Sequence, residues 1–183
     1  MQISRKRGYF RIRLPEAEAI SRLRAWVGLN ERETPGTLSY ESCISATQND
    51  DGSWSGVSLF AYHNDGWTVF DDVTGYFSFT PGVKWLEFAR NDDFVKAFYY
   101  EEPEWGQLVA ANNGTIVREL LIDKKRPSKS VNVGQLDSEG SERITEWRGV
   151  MSFMATDEHA IEPGYGTCLS FEEGEFDLFR NAP

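Results

Sequence analysis

Clustered carboxylates come nearest to catalytic chemistry in this sequence. They form four runs along the chain, Asp50–Asp51, Asp71–Asp72, Glu101–Glu104 and Glu172–Asp177. A glycosidase holds two carboxylates on either side of a sugar, and the six tryptophans of the chain offer rings on which sugars stack. However, adjacent side chains of a strand point to opposite faces, so none of these runs is by itself an acid–base pair. We therefore interpret the runs as solvated surface.

The other residue types that catalysis or metal binding would need are scarce. His63 and His159 have no partner motif, and the sequence contains no GxSxG, HExxH, P-loop, GxGxxG or paired CxxC pattern. None of the carboxylate runs matches the calcium-binding EF-hand loop. Cys43 and Cys168 lie among β-forming residues, and we expect both to be reduced and in or beside strands. The sequence thus predicts no enzyme, no cofactor and no metal site.

Aromatic residues are concentrated in the middle of the chain, where several follow acidic turns. Trp67 and Trp85 fit core and sheet packing, whereas Trp54 and Trp105 lie next to turns, where a large side chain is less easily buried. An exposed Trp among carboxylates is typical of a protein-binding patch, because aromatic anchors give affinity and charges speed association.

Charge is unevenly distributed along the 183 residues, which carry a net charge of −10. Residues 1–24 have a net charge of +5, and the remaining 159 residues carry −15. An acidic field repels nucleic acids and anionic membranes and favours a basic protein surface, although solubility alone also selects for net charge. No apolar run is long enough to span a bilayer, and no secretory signal follows the basic N-terminus. We therefore expect a single globular domain, residues 1–183, located in the cytoplasm.

Short alternating runs separated by turn residues predict several strands. Residues 8–14 have the alternation of a half-buried strand. Residues 38–73 have the pattern of an antiparallel meander that includes LSYESCISA as a strand, with Asp71–Asp72 leaving the core at its end. Asn113–Gly114, between two alternating runs, predicts a two-residue hairpin loop.

Helical spacing predicts about three helices among these strands. One covers residues 16–29, a second begins with Thr80 as N-cap and Pro81 as its first residue, and a third begins at Ser141. The buried positions expected of the three helices are, in order, Ile20, Leu23 and Val27; Val83, Leu86 and Ala89; and Ile144, Trp147, Met151 and Met154. Runs of strands with few strict β–α alternations indicate an α+β fold with a mainly antiparallel sheet on which the helices pack.

The segment from residue 67 to residue 136 contains WTVFDDVTGYFSF, KWLEFA, FVKAFYYEEPEWGQLVAANNGTIVRELL and VNVGQL. It resembles the core of the immunity proteins that bacteria encode beside polymorphic toxins. The shared features are a W-x-V-x-(D/E) strand, a Tyr-rich strand and an NG-x-(I/V)-x-RE hairpin. The resemblance implies an acidic, cytosolic α+β domain that binds and blocks a toxin made by the same cell.

The residues expected to bind such a partner combine the acidic runs with a tryptophan beside a turn: Asp71, Asp72, Glu101, Glu102, Trp105, Glu172, Glu173, Glu175 and Asp177. The acids would take the place of the anionic substrate of a toxin that has a basic cleft, and the aromatic ring would provide a buried anchor. The alternative is a module that binds a sugar or nucleotide, or a small hydrolase, with a surface of Trp and Asp. Stabilisation by a small ligand would distinguish the alternative from the inhibitor.

Overall fold

Ten strands of the described residues join in one sheet, and every pairing is antiparallel. The computed structural model describes residues 8–33, 36–161 and 163–172. The strands are β1 (Gly8–Ile12), β2 (Glu31–Arg32), β3 (Thr37–Leu38), β4 (Val57–Asn64), β5 (Trp67–Asp72), β6 (Phe94–Tyr100), β7 (Trp105–Asn112), β8 (Thr115–Asp123), β9 (Val131–Gly134) and β10 (Gly166–Phe171). The helices are α1 (Glu16–Val27), α2 (Tyr40–Thr47), α3 (Gly82–Ala89) and α4 (Trp147–Thr156).

The strand order places the first strand of the chain in the middle of the sheet. The order is β2-β10-β4-β5-β1-β6-β7-β8-β9, and β3 also pairs with β10. The prediction of an α+β fold with a mainly antiparallel sheet is confirmed, with four α-helices among the described residues rather than about three. No described helix is both long enough and apolar enough to cross a membrane.

Helices cover both faces of the sheet. On the α1/α3 face, Phe10 and Ile12 of β1 pack in one apolar cluster with both helices. On the α2/α4 face, Tyr9 of β1 packs with Cys43 of α2 and with Phe153 of α4. Tyr9 and Phe10 are both 0% exposed. The prediction of a half-buried first strand is therefore wrong, because side chains that alternate between two faces meet a helix layer on each.

Helix α1 matches the sequence prediction, including its inner face. Ile20, Leu23 and Val27 are buried against the sheet. Gly28 follows with a φ of 64° and donates its backbone N–H to the carbonyl of Arg24 at 3.1 Å. A left-handed residue in this place closes the last helical turn, and glycine adopts it without a steric cost.

Helix α2 occupies LSYESCISA, for which a strand is predicted, so that prediction is wrong. Ser39 caps the helix, and its hydroxyl accepts the backbone N–H of Ser42 at 3.1 Å. Cys43 faces the sheet and forms a disulfide with Cys168 of β10, with a Cα–Cα distance of 5.6 Å. The expectation of two reduced cysteines is also wrong, because the packing of α2 on β10 brings together residues 125 positions apart in the chain.

Helix α3 begins one residue later than predicted, and its inner face matches the prediction only in part: Ala89 is buried and Leu86 is partly buried against the apolar cluster of the α1/α3 face. Its N-cap is Pro81, and the hydroxyl of Thr80 does not cap it. The buried side chains are those of Trp85, Phe88 and Ala89, whereas Val83, an expected core residue, is 63% exposed.

Helix α4 begins at Trp147, six residues after the predicted start at Ser141. Its buried residues are Trp147, Val150 and Phe153. Of the expected inner line, Trp147 is therefore confirmed, whereas Ile144 and Met154 are only partly buried against the apolar cluster of the α2/α4 face. The Asn113–Gly114 hairpin is confirmed: it joins β7 to β8 with φ values of 47° and 74°. Positive φ at both central residues is the conformation that this residue pair favours.

Candidate functional site

Most of the predicted partner-binding residues lie at one end of the sheet. Strands β5, β6 and β10 end there, and β1, β4 and β7 begin there. Four strand spacings separate β10 from β6, a distance of roughly 19 Å at about 4.8 Å per spacing. The fold thus gathers residues from distant parts of the sequence along one end, and their burial decides which of them a partner could contact.

Asp71 and Asp72 are buried, with exposures of 1% and 6%, so the prediction that they leave the core is wrong. Strand β5 lies between β4 and β1, and helices cover the sheet on both sides. Asp72 accepts the backbone N–H groups of Phe77 at 2.7 Å and Tyr76 at 3.1 Å. Burial raises the pKa of Asp72 to about 6, although these amides favour its charged form. Asp72 therefore holds the turn after β5 and is not available to a partner.

Lys96 on β6 is a buried cation that the sequence analysis does not single out. It is 0% exposed and donates hydrogen bonds to the carbonyls of Ser78 at 2.9 Å and Thr80 at 3.1 Å, and to the side-chain oxygen of Gln107 at 2.5 Å. Burial lowers the pKa of Lys96 well below its usual value, and the charge of Asp72 opposes that shift. An alternating strand with one charged residue gives no signal that this residue faces the core.

Trp105 is also buried, at 4% exposure, so it is not the exposed anchor that its position beside a turn predicts. Its ring is covered by Phe79, at a centroid distance of 4.9 Å, and contacts Tyr100 at 5.9 Å. Phe79 and Tyr100 stack with an interplanar angle of 8°. Phe79 is 54% exposed, and it is the residue that presents an aromatic surface to solvent. Trp54, the other tryptophan expected outside the core, is 36% exposed.

Glu101 and Glu102 lie in the turn between β6 and β7, and both are exposed. The N–H of Glu104 closes that turn on the carbonyl of Glu101 at 2.9 Å. Because the turn directly follows Tyr100, the two carboxylates are next to the stack of the exposed Phe79 on the partly buried Tyr100. We define Phe79, Tyr100, Glu101 and Glu102 as the aromatic–acidic patch, with Trp105 beneath it.

The acidic run after β10 is only partly described. Glu172 is exposed, donates its backbone N–H to the carbonyl of Asn30 at 2.8 Å and accepts the side-chain amide of Asn30 at 3.2 Å. Glu173, Glu175 and Asp177 lie outside the described residues. Glu172 is at the same end of the sheet as the aromatic–acidic patch, but several strands away from it.

The aromatic–acidic patch combines an exposed aromatic ring with exposed carboxylates on one surface. Nowhere in the described ranges do three or more His, Cys, Asp or Glu side chains cluster in a way that could hold a metal ion. Aromatic rings such as the stacked Phe79 and Tyr100 are enriched at protein interfaces, whereas carboxylates are depleted from the interface core and fit its polar rim. Phe79 is missed by the sequence reasoning because its run, FSFT, shows no difference between a buried and an exposed phenylalanine.

The chain matches no protein-family model, and no curated protein or solved structure is significantly similar to it.

Proposed function

We propose that the protein is a non-enzymatic inhibitor, an immunity protein that binds a cognate bacterial toxin domain and covers its active site. The observation that supports this proposal is the aromatic–acidic patch, in which a half-exposed Phe79 stacks on Tyr100 beside two exposed carboxylates. The resemblance of residues 67–136 to immunity proteins includes Tyr100, Glu101 and Glu102 and therefore contains this patch.

The chemistry of the patch suits a toxin with a basic substrate cleft. Phe79 and Tyr100 are rigid side chains already held by Trp105, so their ordering adds little entropic cost on binding. Glu101 and Glu102 would approach the cationic residues that normally hold an anionic substrate. The net charge of −10 would speed the encounter with such a surface and would disfavour nucleic acids and anionic membranes as partners.

The cytoplasm is the compartment that we propose for this inhibition. Cellular thiols there reduce most protein disulfides, so the Cys43–Cys168 bond in the structure is an observation against this compartment. The disulfide form of the protein belongs to an oxidising environment. Trapping the thiols by rapid alkylation in intact cells would distinguish the two compartments, because only reduced cysteines take up the label.

A rescue assay tests the proposal directly. The protein encoded immediately upstream is expressed with and without this chain, and growth and co-purification are scored. Relief of toxicity by a complex whose association rate falls with salt is the expected result. A harmless or unbound neighbour would refute the immunity function, and stabilisation of this chain by a sugar or nucleotide would favour the alternative function.

Two variants then test the patch itself. Phe79→Ala removes the exposed anchor and should weaken the complex by roughly thirtyfold, the effect of a side chain worth about 2 kcal/mol at an interface. Tyr165→Ala is the matched control, because Tyr165 is 70% exposed. It directly precedes β10, at the end of the sheet opposite to the patch. Equal affinities of the two variants would show that the partner binds elsewhere.

Charge-reversal variants test whether the carboxylates of the patch raise the rate of association with the partner. Glu101→Lys combined with Glu102→Lys should slow association at low salt by about tenfold or more. The control reverses Glu41 and Asp50, which are exposed and outside the patch, and changes the net charge by the same amount. Equal slowing by both pairs would mean that overall charge, and not the patch, guides the encounter.

A further inference from the structure

Phe79 presents one face of an aromatic ring to solvent at the aromatic–acidic patch. The side chain is 54% exposed, and the Tyr100 ring lies against it with an interplanar angle of 8° and a centroid distance of 5.7 Å. Because Tyr100 is parallel to one face of the Phe79 ring, the opposite face is the one that is open to solvent. A flat group of a partner can therefore stack on Phe79.

The ring of Phe79 is held in place from below and on both sides of its backbone. Trp105, which is 4% exposed, contacts it at a centroid distance of 4.9 Å. The carbonyls of the two residues next to Phe79, Ser78 and Thr80, accept hydrogen bonds from Nζ of the buried Lys96 at 2.9 and 3.1 Å. The stacking surface is thus ordered before a partner arrives, which lowers the entropic cost of binding.

Glu101 and Glu102 add negative charge beside this ring. Glu101 directly follows Tyr100, so the Cα atoms of these two residues lie about 3.8 Å apart. Both glutamates are exposed. Among the described residues, Glu104 of the same turn pairs with Lys124 at 2.9 Å, whereas Glu101 and Glu102 form no ion pair. Their carboxylates can therefore accept hydrogen bonds from a partner.

The ring and the carboxylates together favour one class of ligand. A nucleotide base could stack on Phe79, but the two carboxylates and the net charge of −10 would repel its phosphate. A lysine ammonium group is compact and strongly hydrated, and it has no flat face. A guanidinium group is planar, stacks on aromatic rings and donates paired hydrogen bonds to a carboxylate. Of these three, only the guanidinium makes use of both parts of the patch.

We infer that the aromatic–acidic patch binds an arginine side chain of the partner. The guanidinium stacks on the open face of Phe79 and donates hydrogen bonds to the carboxylate of Glu101 or Glu102. This inference rests on the proposed function, because it places the arginine in the basic cleft of the toxin, and it adds the identity of the group that the patch recognises. An arginine engaged in this way is no longer able to hold an anionic substrate.

NMR titration of the full chain with small molecules tests the inference without a toxin. The probes are Nα-acetyl-L-arginine methylamide and the corresponding derivatives of lysine and citrulline, the last of which carries an uncharged planar group. At constant ionic strength, the arginine compound should bind saturably with a Kd of roughly 1–10 mM and at least about threefold more tightly than either of the others. The backbone amide signals of Glu101 and Glu102 should shift as it binds. Equal binding of the three compounds, or no saturable shift up to about 50 mM, would overturn the inference.

Two variants at exposed positions locate the binding at the patch. Phe79→Leu keeps an apolar side chain but removes the aromatic face, and it should abolish the preference for arginine over lysine. Glu101→Gln combined with Glu102→Gln should weaken the binding of both cations by about threefold or more. The control pair, Glu41→Gln with Asp50→Asn, removes the same charge outside the patch and should leave binding unchanged. Unchanged binding in either patch variant would contradict the assignment.

The result of this titration is separable from that of the rescue assay. Selective binding of the arginine compound by a chain that does not relieve toxicity would support the arginine site and refute the immunity function. Relief of toxicity by a chain that does not distinguish arginine from lysine would support the immunity function and overturn the arginine site.

Discussion

Arg118 and Glu139 form a bidentate ion pair from which solvent is excluded. The Nε–Oε1 distance is 2.7 Å, the Nη2–Oε2 distance is 3.0 Å, and both side chains are 0% exposed. Glu139 also accepts the N–H groups of Leu136 and Ile144. Arg118 is the arginine of the NG-x-(I/V)-x-RE segment, so this part of the resemblance has a structural role: it ties the chain between β8 and α4 to the sheet.

Replacing Arg118 should destabilise the fold strongly. Arg118→Met leaves the buried carboxylate of Glu139 without its cation, and we expect a loss of about 3–5 kcal/mol in the free energy of unfolding. Urea denaturation measures the change. Adding Glu139→Leu to Arg118→Met should recover part of the loss, because the buried charge is then removed as well.

A surface pair provides the control for that experiment. Lys84 and Glu87 lie 3.1 Å apart on α3, with Glu87 56% exposed. Lys84→Met should change the free energy of unfolding by less than about 1 kcal/mol, because solvent screens exposed pairs. A similar loss in the Arg118 and Lys84 variants would mean that the buried pair contributes no more than a surface one.

The elements that the sequence predicts correctly are those set by local chemistry. The hairpin at Asn113–Gly114 follows from residues that tolerate positive φ, and α1 follows from apolar spacing and a terminal glycine. Residues 40–47 are different, because their β-forming composition suits a strand. The packing of Cys43 on the sheet favours a helix and depends on the rest of the fold, whereas the Ser39 cap is a local signal that adds to it.

The candidate site could be predicted only in part, for the same reason. Glu101 and Glu102 are exposed because a turn between two strands projects from the sheet. Asp72 and Trp105 are buried because β5 becomes a central strand and because Phe79, from the loop before α3, covers the tryptophan. Neither contact leaves a periodic signal in the sequence.

Asp72 should make stability depend on pH in a specific direction. Its pKa is about 6 in the folded protein and 3.8 in an ordinary environment, so the folded state binds this proton more tightly. Its contribution is therefore fully present below pH 3.8 and declines as pH rises through about 6, by up to about 3 kcal/mol. Asp72→Asn removes this titration. As pH rises from 4 to 7, the free energy of unfolding of the wild-type protein should therefore fall relative to that of the Asp72→Asn variant. A difference that stays constant over that range, about three pH units, would contradict the titration.

The Cys43–Cys168 disulfide should stabilise the fold by restricting the unfolded chain. The bond closes a loop of 125 residues, for which the expected contribution is about 2–5 kcal/mol. A reducing agent should lower the melting temperature of the wild-type protein accordingly. The Cys43→Ala and Cys168→Ala double variant should melt at the same temperature with and without the reducing agent. A wild-type melting temperature that reduction does not change would show that packing of α2 suffices.

Gly134 should be intolerant of any side chain, for two separable reasons. Its φ is 72°, and a Cβ there would lie 2.0 Å from the carbonyl oxygen of Val117. Gly140 has a similar φ of 76° but no atom within 4 Å of that position. Gly140→Ala should therefore cost about 1–3 kcal/mol from its backbone alone, because a φ of 76° with a ψ of −151° is a conformation that glycine almost alone adopts. Gly134→Ala should cost a further 1–3 kcal/mol or so from the collision with β8. Denaturation of both variants measures the backbone cost and the collision cost separately. Equal losses of stability would mean that β9 moves away from β8 without cost.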